Sequence, residues 1–290
     1  MSGGTAGSEW HIGQVKITRV VESGGPWDGT ILMPNATAEN LSKERDWLFP
    51  TFCDQHGRLR MSVHAFILES QGRRIIVDTC IGNDKVRSHP TWNRQQLPFL
   101  ADLQAAGYPR ETIDRVVCTH LHVDHVGWNT MLERGKWVPT FPRATYLIGG
   151  TEWDFFSRVE DAFLKDPVDD SVRPVMAEGM SELVDDRHHI TDEVWLESTP
   201  GHTPGHFSVR ISSQGQDAVI TGDLMHHPVQ CGHPEWDNQF DNDGPMAKKS
   251  RRAFCERYAD SRTLVFGTHF ATPSAGSIVR HEGAFRFVTT

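Results

Sequence analysis

Short apolar or alternating runs dominate this chain, and their length and period predict strands rather than long helices. Residues 15–21 and 63–69 alternate or run apolar, and 74–79 follows directly on Gln71-Gly72, a hairpin-like turn. A compact apolar strand is expected at 115–119, with further strands at 144–148, 194–198, 207–211, 218–221 and 263–266. Helical spacing falls between them, at 97–106 with Gly107 as its stop, at 151–158 and at 246–258, while 109–113 reads as a short turn. Strands interleaved with helices in both halves argue for a layered α/β domain.

Two stretches fit neither period. Residues 22–60 are rich in Gly, Pro and Asn yet carry Trp27, Leu32, Trp47, Leu48 and Phe49, and 161–189 is acidic and irregular. Loops of that length inside a compact domain are usually lids or walls of a site. The expected organisation is a flexible tail over 1–10 and one domain over 11–290, with lid segments at 22–60 and 161–189.

Composition narrows the class. With 38% hydrophobic and 23% charged residues the chain reads as an ordinary soluble globular protein. No run approaches the ~18 apolar residues of a membrane-spanning helix, and no basic stretch followed by an apolar core marks a signal peptide. A net charge of −9 argues against nucleic acid or an anionic membrane as partner. The one basic run, Lys248-Lys249-Ser250-Arg251-Arg252, reads as a solvated helix face. The 5 cysteines are scattered with no CxxC pair, which suits a reducing cytoplasm.

The chemistry concentrates after the strand at 115–119. There Thr119-His120-Leu121-His122-Val123-Asp124-His125-Val126-Gly127 packs imidazoles and a carboxylate into one loop, the donors a borderline cation such as Zn²⁺ takes. Three more fragments end strands with the same donor types: Pro200-Gly201-His202, Thr221-Gly222-Asp223 and Gly267-Thr268-His269. Strand ends are where an α/β sheet presents its functional groups.

Together these residues resemble the metallo-β-lactamase-fold hydrolase superfamily, whose five motifs they match in order from about Val15 to His269. The resemblance implies an αββα sandwich, two mixed sheets with helices outside and a metal site at one edge. It also implies two divalent ions per chain, zinc first, with manganese, iron or cobalt as alternatives the same donors accept. One ion would be held by His120, His122 and His202 and the other by Asp124, His125 and His269, with Asp223 and a water or hydroxide between them. Metals about 3.5–4 Å apart can activate such a water and clamp the developing oxyanion.

The variable positions point to a branch. Dizinc β-lactamases have cysteine where Asp223 stands, and flavodiiron-type members have a carboxylate where His122 stands. Glyoxalase II-like thioesterases share the ligands but usually add a basic segment near the C-terminus, which does not follow His269 here. Pro200–His206 and Gly222-Asp223-Leu224-Met225-His226 are most similar to the lactonase and methyl parathion hydrolase-like branch. His125-Val126-Gly127-Trp128-Asn129-Thr130 is also similar to hydrolytic dehalogenases of chlorinated aromatics. N-acyl-homoserine lactonases usually place a tyrosine near the site, and no tyrosine lies between Tyr146 and Tyr258.

The expected substrate is a small, largely apolar ester, lactone or aryl phosphoester, met by Trp47, Phe49, Trp128, Met225 and His226, with Trp27, Leu32, Phe155 and Trp236 as further wall candidates. Asp124 and Asp223 are the expected catalytic carboxylates, Asp124 as a proton donor to the leaving group. Asp78 and His227 are expected to support ligands from behind, and His206 to be structural. A non-catalytic metal-binding relative would have lost ligands, and none is missing here. The branch also implies a homodimer through its lid segments.

Overall fold

The computed structural model describes residues 8–289. The strands in chain order are β1 Glu9–Ile12, β2 Val15–Trp27, β3 Leu59–Ser70, β4 Arg73–Val77, β5 Arg115–Val117, β6 Thr130–Glu133, β7 Lys136–Pro139, β8 Thr145–Gly149 and β9 Ser181–Val184. They continue with β10 His189–Thr191, β11 Val194–Ser198, β12 Phe207–Ser213, β13 Gln216–Ile220, β14 Leu264–Phe266, β15 Ala275–His281 and β16 Ala284–Thr289. Two seven-stranded sheets result, ordered β1-β2-β3-β4-β5-β8-β9 and β10-β11-β12-β13-β14-β15-β16, with β6-β7 as a separate hairpin. Both are mixed: β4-β5, β5-β8, β8-β9 and β13-β14 pair in parallel and the rest antiparallel.

The period-2 alternation of each strand builds the layers. Phe66, Leu68, Ile75, Val77 and Val117 of the first sheet meet Val209, Ile211, Ala218, Ile220 and Phe266 of the second in one apolar layer between the sheets. Their neighbours Ala65, Ile67, Ile76 and Val116 point the other way, onto Phe99 and Leu103 of an outer helix. On the far side Val219 and Val265 meet Phe254 and Tyr258 of the helix Gly244–Tyr258. The chain is the αββα sandwich that its sequence resembles. Among the described residues no helix is long and apolar enough to cross a membrane.

The structure departs from the sequence reading chiefly at the presumed loops. The tail expected over 1–10 gives up Glu9 and Trp10 to β1, which pairs antiparallel with β2; residues 1–7 lie outside the described part. The 22–60 stretch opens inside β2 and closes inside β3, and short helices at Gly29–Leu32, Ala38–Lys43 and Arg45–Leu48 fill its middle. The 161–189 stretch is mostly helical, from Ala162–Pro167 through Arg173–Ala177, and then supplies β9. Leu41, Leu48 and Phe52 are buried against the second sheet, so much of the first stretch is core.

Candidate metal centre

Each donor sits just past the end of a strand. β5 leads into His120, His122, Asp124 and His125; β11 leads into the turn holding His202; β13 ends before Asp223 and β14 before His269. Tight backbone makes this aim achievable at two positions in particular. A Cβ on Gly222, whose φ is +55°, would come within 2.5 Å of the His206 ring, and one on Gly127 would come within 1.8 Å of the Ile81 carbonyl oxygen. His206 is structural in a specific way: its Nε2 accepts the backbone N–H of Asp223 at 2.8 Å. Burial pushes His206 down to about 3, so the ring stays neutral and able to accept.

The donors converge in two sets, His120–His122–His202–Asp223 and Asp124–His125–His269, each with ligand atoms within 4.8 Å of one another. Asp223 touches both: Oδ2 lies 3.6 Å from His120 Nε2, 3.4 Å from His202 Nε2 and 3.2 Å from His125 Nε2, and Oδ1 lies 3.1 Å from His269 Nε2. Nitrogen ligands about 2.0–2.1 Å from a tetrahedral zinc would stand about 3.3 Å apart, close to these spacings.

The hydrogen bonds behind the rings decide what the site fits. His125 Nδ1 donates to the Asp78 carboxylate at 2.9 Å and His269 Nδ1 to the Ser62 carbonyl at 3.0 Å, both acceptor-only partners. In the neutral rings both Nε2 lone pairs are then bare, and they face each other at 3.2 Å. His202 Nδ1 donates to Asp241 at 3.0 Å, so His202 Nε2 is bare in the neutral ring, and it faces His122 Nδ1 at 2.9 Å. His120 Nε2 and Asp223 Oδ1 are sealed from solvent without an aligned hydrogen bond, even though the His269 ring is near the latter. Buried groups are rarely left so. A proton or a cation must lie among them, and the donor set fits divalent ions.

The electrostatics agree. Burial opposes charge on His202, but hydrogen bonds to Asp223 and Asp241 outweigh it and push the ring up to about 9. Burial also opposes charge on His125, and Asp223, Asp78 and Asp124 together raise it well above the ordinary range. Asp223, against its own burial, is held well below the usual carboxylate range by His125, His269 and His226.

The seven expected ligands are thus brought together, with Asp78 behind one of them. Asp78 also accepts the Thr119 backbone N–H at 2.8 Å and so fixes the start of the His120 loop. Other assignments need correction. His227 does not stand behind a ligand: its Nε2 donates to the Phe52 carbonyl at 2.9 Å and its Nδ1 accepts the Val229 N–H at 3.2 Å. Trp128 is core, stacked on Phe99 with its indole N–H on Glu22 at 2.7 Å. Met225 is fully buried among the cysteines and aromatics under the second sheet, where Trp47 and Phe49 pack too. Phe155 packs on the first outer core and Trp236 on the second.

Only His226 of the proposed substrate contacts lines the cavity over the centre, together with Trp27 and Leu32 from the wall candidates. Sequence reasoning missed Met61, Trp92, Phe163 and Phe240 in that wall. It also missed Glu152, whose Oε1 accepts the Leu121 N–H at 3.1 Å and whose Oε2 accepts the Gly205 N–H at 2.9 Å. One carboxylate thereby staples the His120–His122 loop to the His202 turn.

His227, whose ring bonds to Phe52 and Val229 rather than to any of the donors, gives a separate pH test. Burial lowers it to about 4 from an ordinary 6.5, and its Nδ1 must stay bare to accept from Val229. A base with a depressed folded pKa binds fewer protons folded than unfolded, so its contribution is complete above pH 6.5 and is lost as pH falls toward 4. At about 1.4 kcal/mol per unit, the cation-free protein should lose on the order of 3 kcal/mol from this ring across that window. Urea midpoints from pH 7 to 4.5 measure it, with His227→Gln expected to flatten part of the slope. An identical slope in wild type and variant would show that the ring is not buried neutral.

A sandwich with two donor sets able to hold a metal ion at one edge defines a class before any comparison is made. The family profile of the metallo-beta-lactamase superfamily matches residues 58–269, and the chain belongs to that superfamily. Among curated relatives, an N-acyl homoserine lactonase of a Bacillus species is 27% identical over 174 residues, 56% of this chain and 63% of that protein. One from Bacillus thuringiensis is 25% identical over the same shares. The chain therefore spans under two thirds of the length of the curated relatives it matches. Among solved structures, the dizinc quorum-quenching lactonase AidC, bound to a homoserine product, aligns over 98% of this chain and 97% of its own with TM-score 0.81 and 19% identity. The hydrolase AbOPH aligns over 100% and 99% with TM-score 0.81 and 22% identity. At those identities the likeness is one of fold.

Proposed function

We propose that this chain is a metal-dependent hydrolase of small, largely apolar esters, lactones or aryl phosphoesters. The observation that carries the reading is that members of both donor sets, His122 and His202 of one and Asp124 and His269 of the other, line one mostly apolar cavity of about 190 Å³ together with Asp223. His120, His122 and His202 would hold one divalent ion and Asp124, His125 and His269 the other, with Asp223 serving both. Zinc is the first expectation for these donors, with manganese, iron or cobalt able to replace it. Bound there, the ions supply an activated water at neutral pH and polarise the oxygen of the bond to be broken.

The chain's own groups have separable tasks. Asp223 keeps the floor of the site anionic, and Asp78 fixes the His125 ring. Asp124 lines the cavity with its side chain 14% exposed, and it would hand a proton to a leaving oxygen. His226 accepts from the Asn238 amide at 2.8 Å through Nδ1, which leaves Nε2–H to donate to Asp223 Oδ2 at 3.0 Å or to a substrate oxygen. Trp27, Leu32, Met61, Trp92, Phe163 and Phe240 offer an acyl or aryl group an apolar wall. No lysine or arginine is among the residues lining the cavity, which disfavours a large anionic thioester such as that of glutathione. The lactonase relatives favour lactones within the class. The 5 cysteines, all free and buried, suit a reducing cytoplasm.

The test is a panel of acyl-homoserine lactones, aryl esters and aryl phosphotriesters, with a glutathione thioester as contrast, assayed on zinc- or manganese-loaded protein. Turnover within the first three groups is expected. Turnover of the thioester alone, or of nothing, would sink the reading.

A further inference from the structure

Asp241 lies in none of the sequence motifs, yet its side chain is 1% exposed and its Oδ1 accepts from His202 Nδ1 at 3.0 Å. Its other oxygen, Oδ2, takes Arg251 at 3.1 Å. Arg251 sits in the basic run expected to be a solvated face, but its side chain is fully buried. Its remaining donors reach the carbonyls of Leu224 at 3.1 Å and of Pro234 and Trp236 at 3.0 Å each. A buried guanidinium with every branch committed can hold one carboxylate in one place.

We infer that Asp241, pinned by Arg251, is the positioning residue that sets the affinity of the His120–His122–His202 set for its cation, separately from the other set. The inference rests on reading the two donor sets as cation sites. In this set His120 Nδ1 has only the Thr119 hydroxyl at 3.1 Å behind it, so His202 is the ring with a carboxylate at its back. The Asp241 charge fixes the proton on Nδ1, turns Nε2 toward the site and makes the ring a stronger donor. In the other set Asp78 does the same for His125, so each set has one carboxylate-backed imidazole.

The backbone makes the arrangement rigid. The Asn242 N–H donates to the His202 carbonyl and the Asp243 N–H to the Gly201 carbonyl, both at 2.9 Å. Asp243 then caps the helix Gly244–Tyr258 through the Met246 N–H, and that helix carries Arg251. Arginine, aspartate and ligand turn therefore move as one piece.

Competitive titration of the cation-free protein with zinc against a chromophoric chelator gives two binding constants. In Asp241→Asn one constant should weaken by about 10–100-fold and the other stay within about twofold. Anomalous scattering at limiting zinc should show the lost occupancy beside His202. Arg251→Lys, which keeps the cation but loses the fork, should weaken the same constant by less. If Asp241→Asn does not fold, Asp241→Glu keeps the charge, misplaces it by one methylene and should show the same single loss. Two unchanged constants, or an equal fall in both that follows a lowered urea midpoint, would overturn the inference alone. A wild-type chain that takes up no zinc would overturn it together with the metal-centre reading.

Discussion

Asp223→Asn is expected to leave the purified chain with neither ion after a dialysis in which the wild type keeps both, and to lower turnover by about 10³-fold or more. The carboxylate oxygens lie within 3.6 Å of ligand nitrogens of both donor sets, and its charge is what His125, His269 and His226 surround. Without it, buried imidazoles gather round a neutral amide, and any cation entering loses its nearest anion. Activation of water and of the scissile oxygen is worth several kcal/mol, with each 1.36 kcal/mol a factor of ten in rate. The fold should survive, because the bond from the residue-223 N–H to His206 belongs to the backbone. Metal analysis, turnover and circular dichroism together check this. Two retained ions with unchanged turnover would remove Asp223 from the centre.

The second large effect should fall on stability. Glu152→Ala strips acceptors from the Leu121 and Gly205 N–H groups, both buried between the His120–His122 loop and the His202 turn. An orphaned buried donor costs about 1–3 kcal/mol, so the pair should cost about 2–6 kcal/mol. Glu152→Gln should recover roughly half, since its amide nitrogen cannot accept. Urea unfolding with an unchanged denaturant slope reads this directly. A midpoint within error of wild type would mean that the staple holds nothing.

That the candidate donors would gather was legible in the sequence because each group of them follows an apolar strand, a local signal that needs no tertiary knowledge. His202 follows Pro200-Gly201, and Asp223 follows Gly222. The walls of the cavity were not legible. An aromatic reads the same whether its ring meets a core or a void, and Trp128 and Phe163 differ only in what folds over them. Asp241 and Glu152 carried no pattern either: both act on loops distant in sequence, over separations of 39 and 31 residues. A weak clue to Glu152 existed, one helical turn before the buried Phe156.

Some of the fold was missed although its signal was present. Glu282-Gly283 between Ala275–His281 and Ala284–Thr289 is a two-residue hairpin turn with φ of +47° and +82°, flanked by alternating Phe285 and Phe287. The short helices within 22–60 were hidden for a different reason. Each has four to six residues, too few for a 3.6-residue period to emerge, and burial of Leu41 and Leu48 rather than propensity holds them.

The most direct test is an anomalous-difference map from crystals of the chain grown with zinc, collected on either side of the zinc edge. Two peaks are expected, one among His120, His122 and His202 and one among Asp124, His125 and His269, with an Asp223 oxygen against each. A single peak, or none within reach of Asp223, would contradict the dinuclear reading.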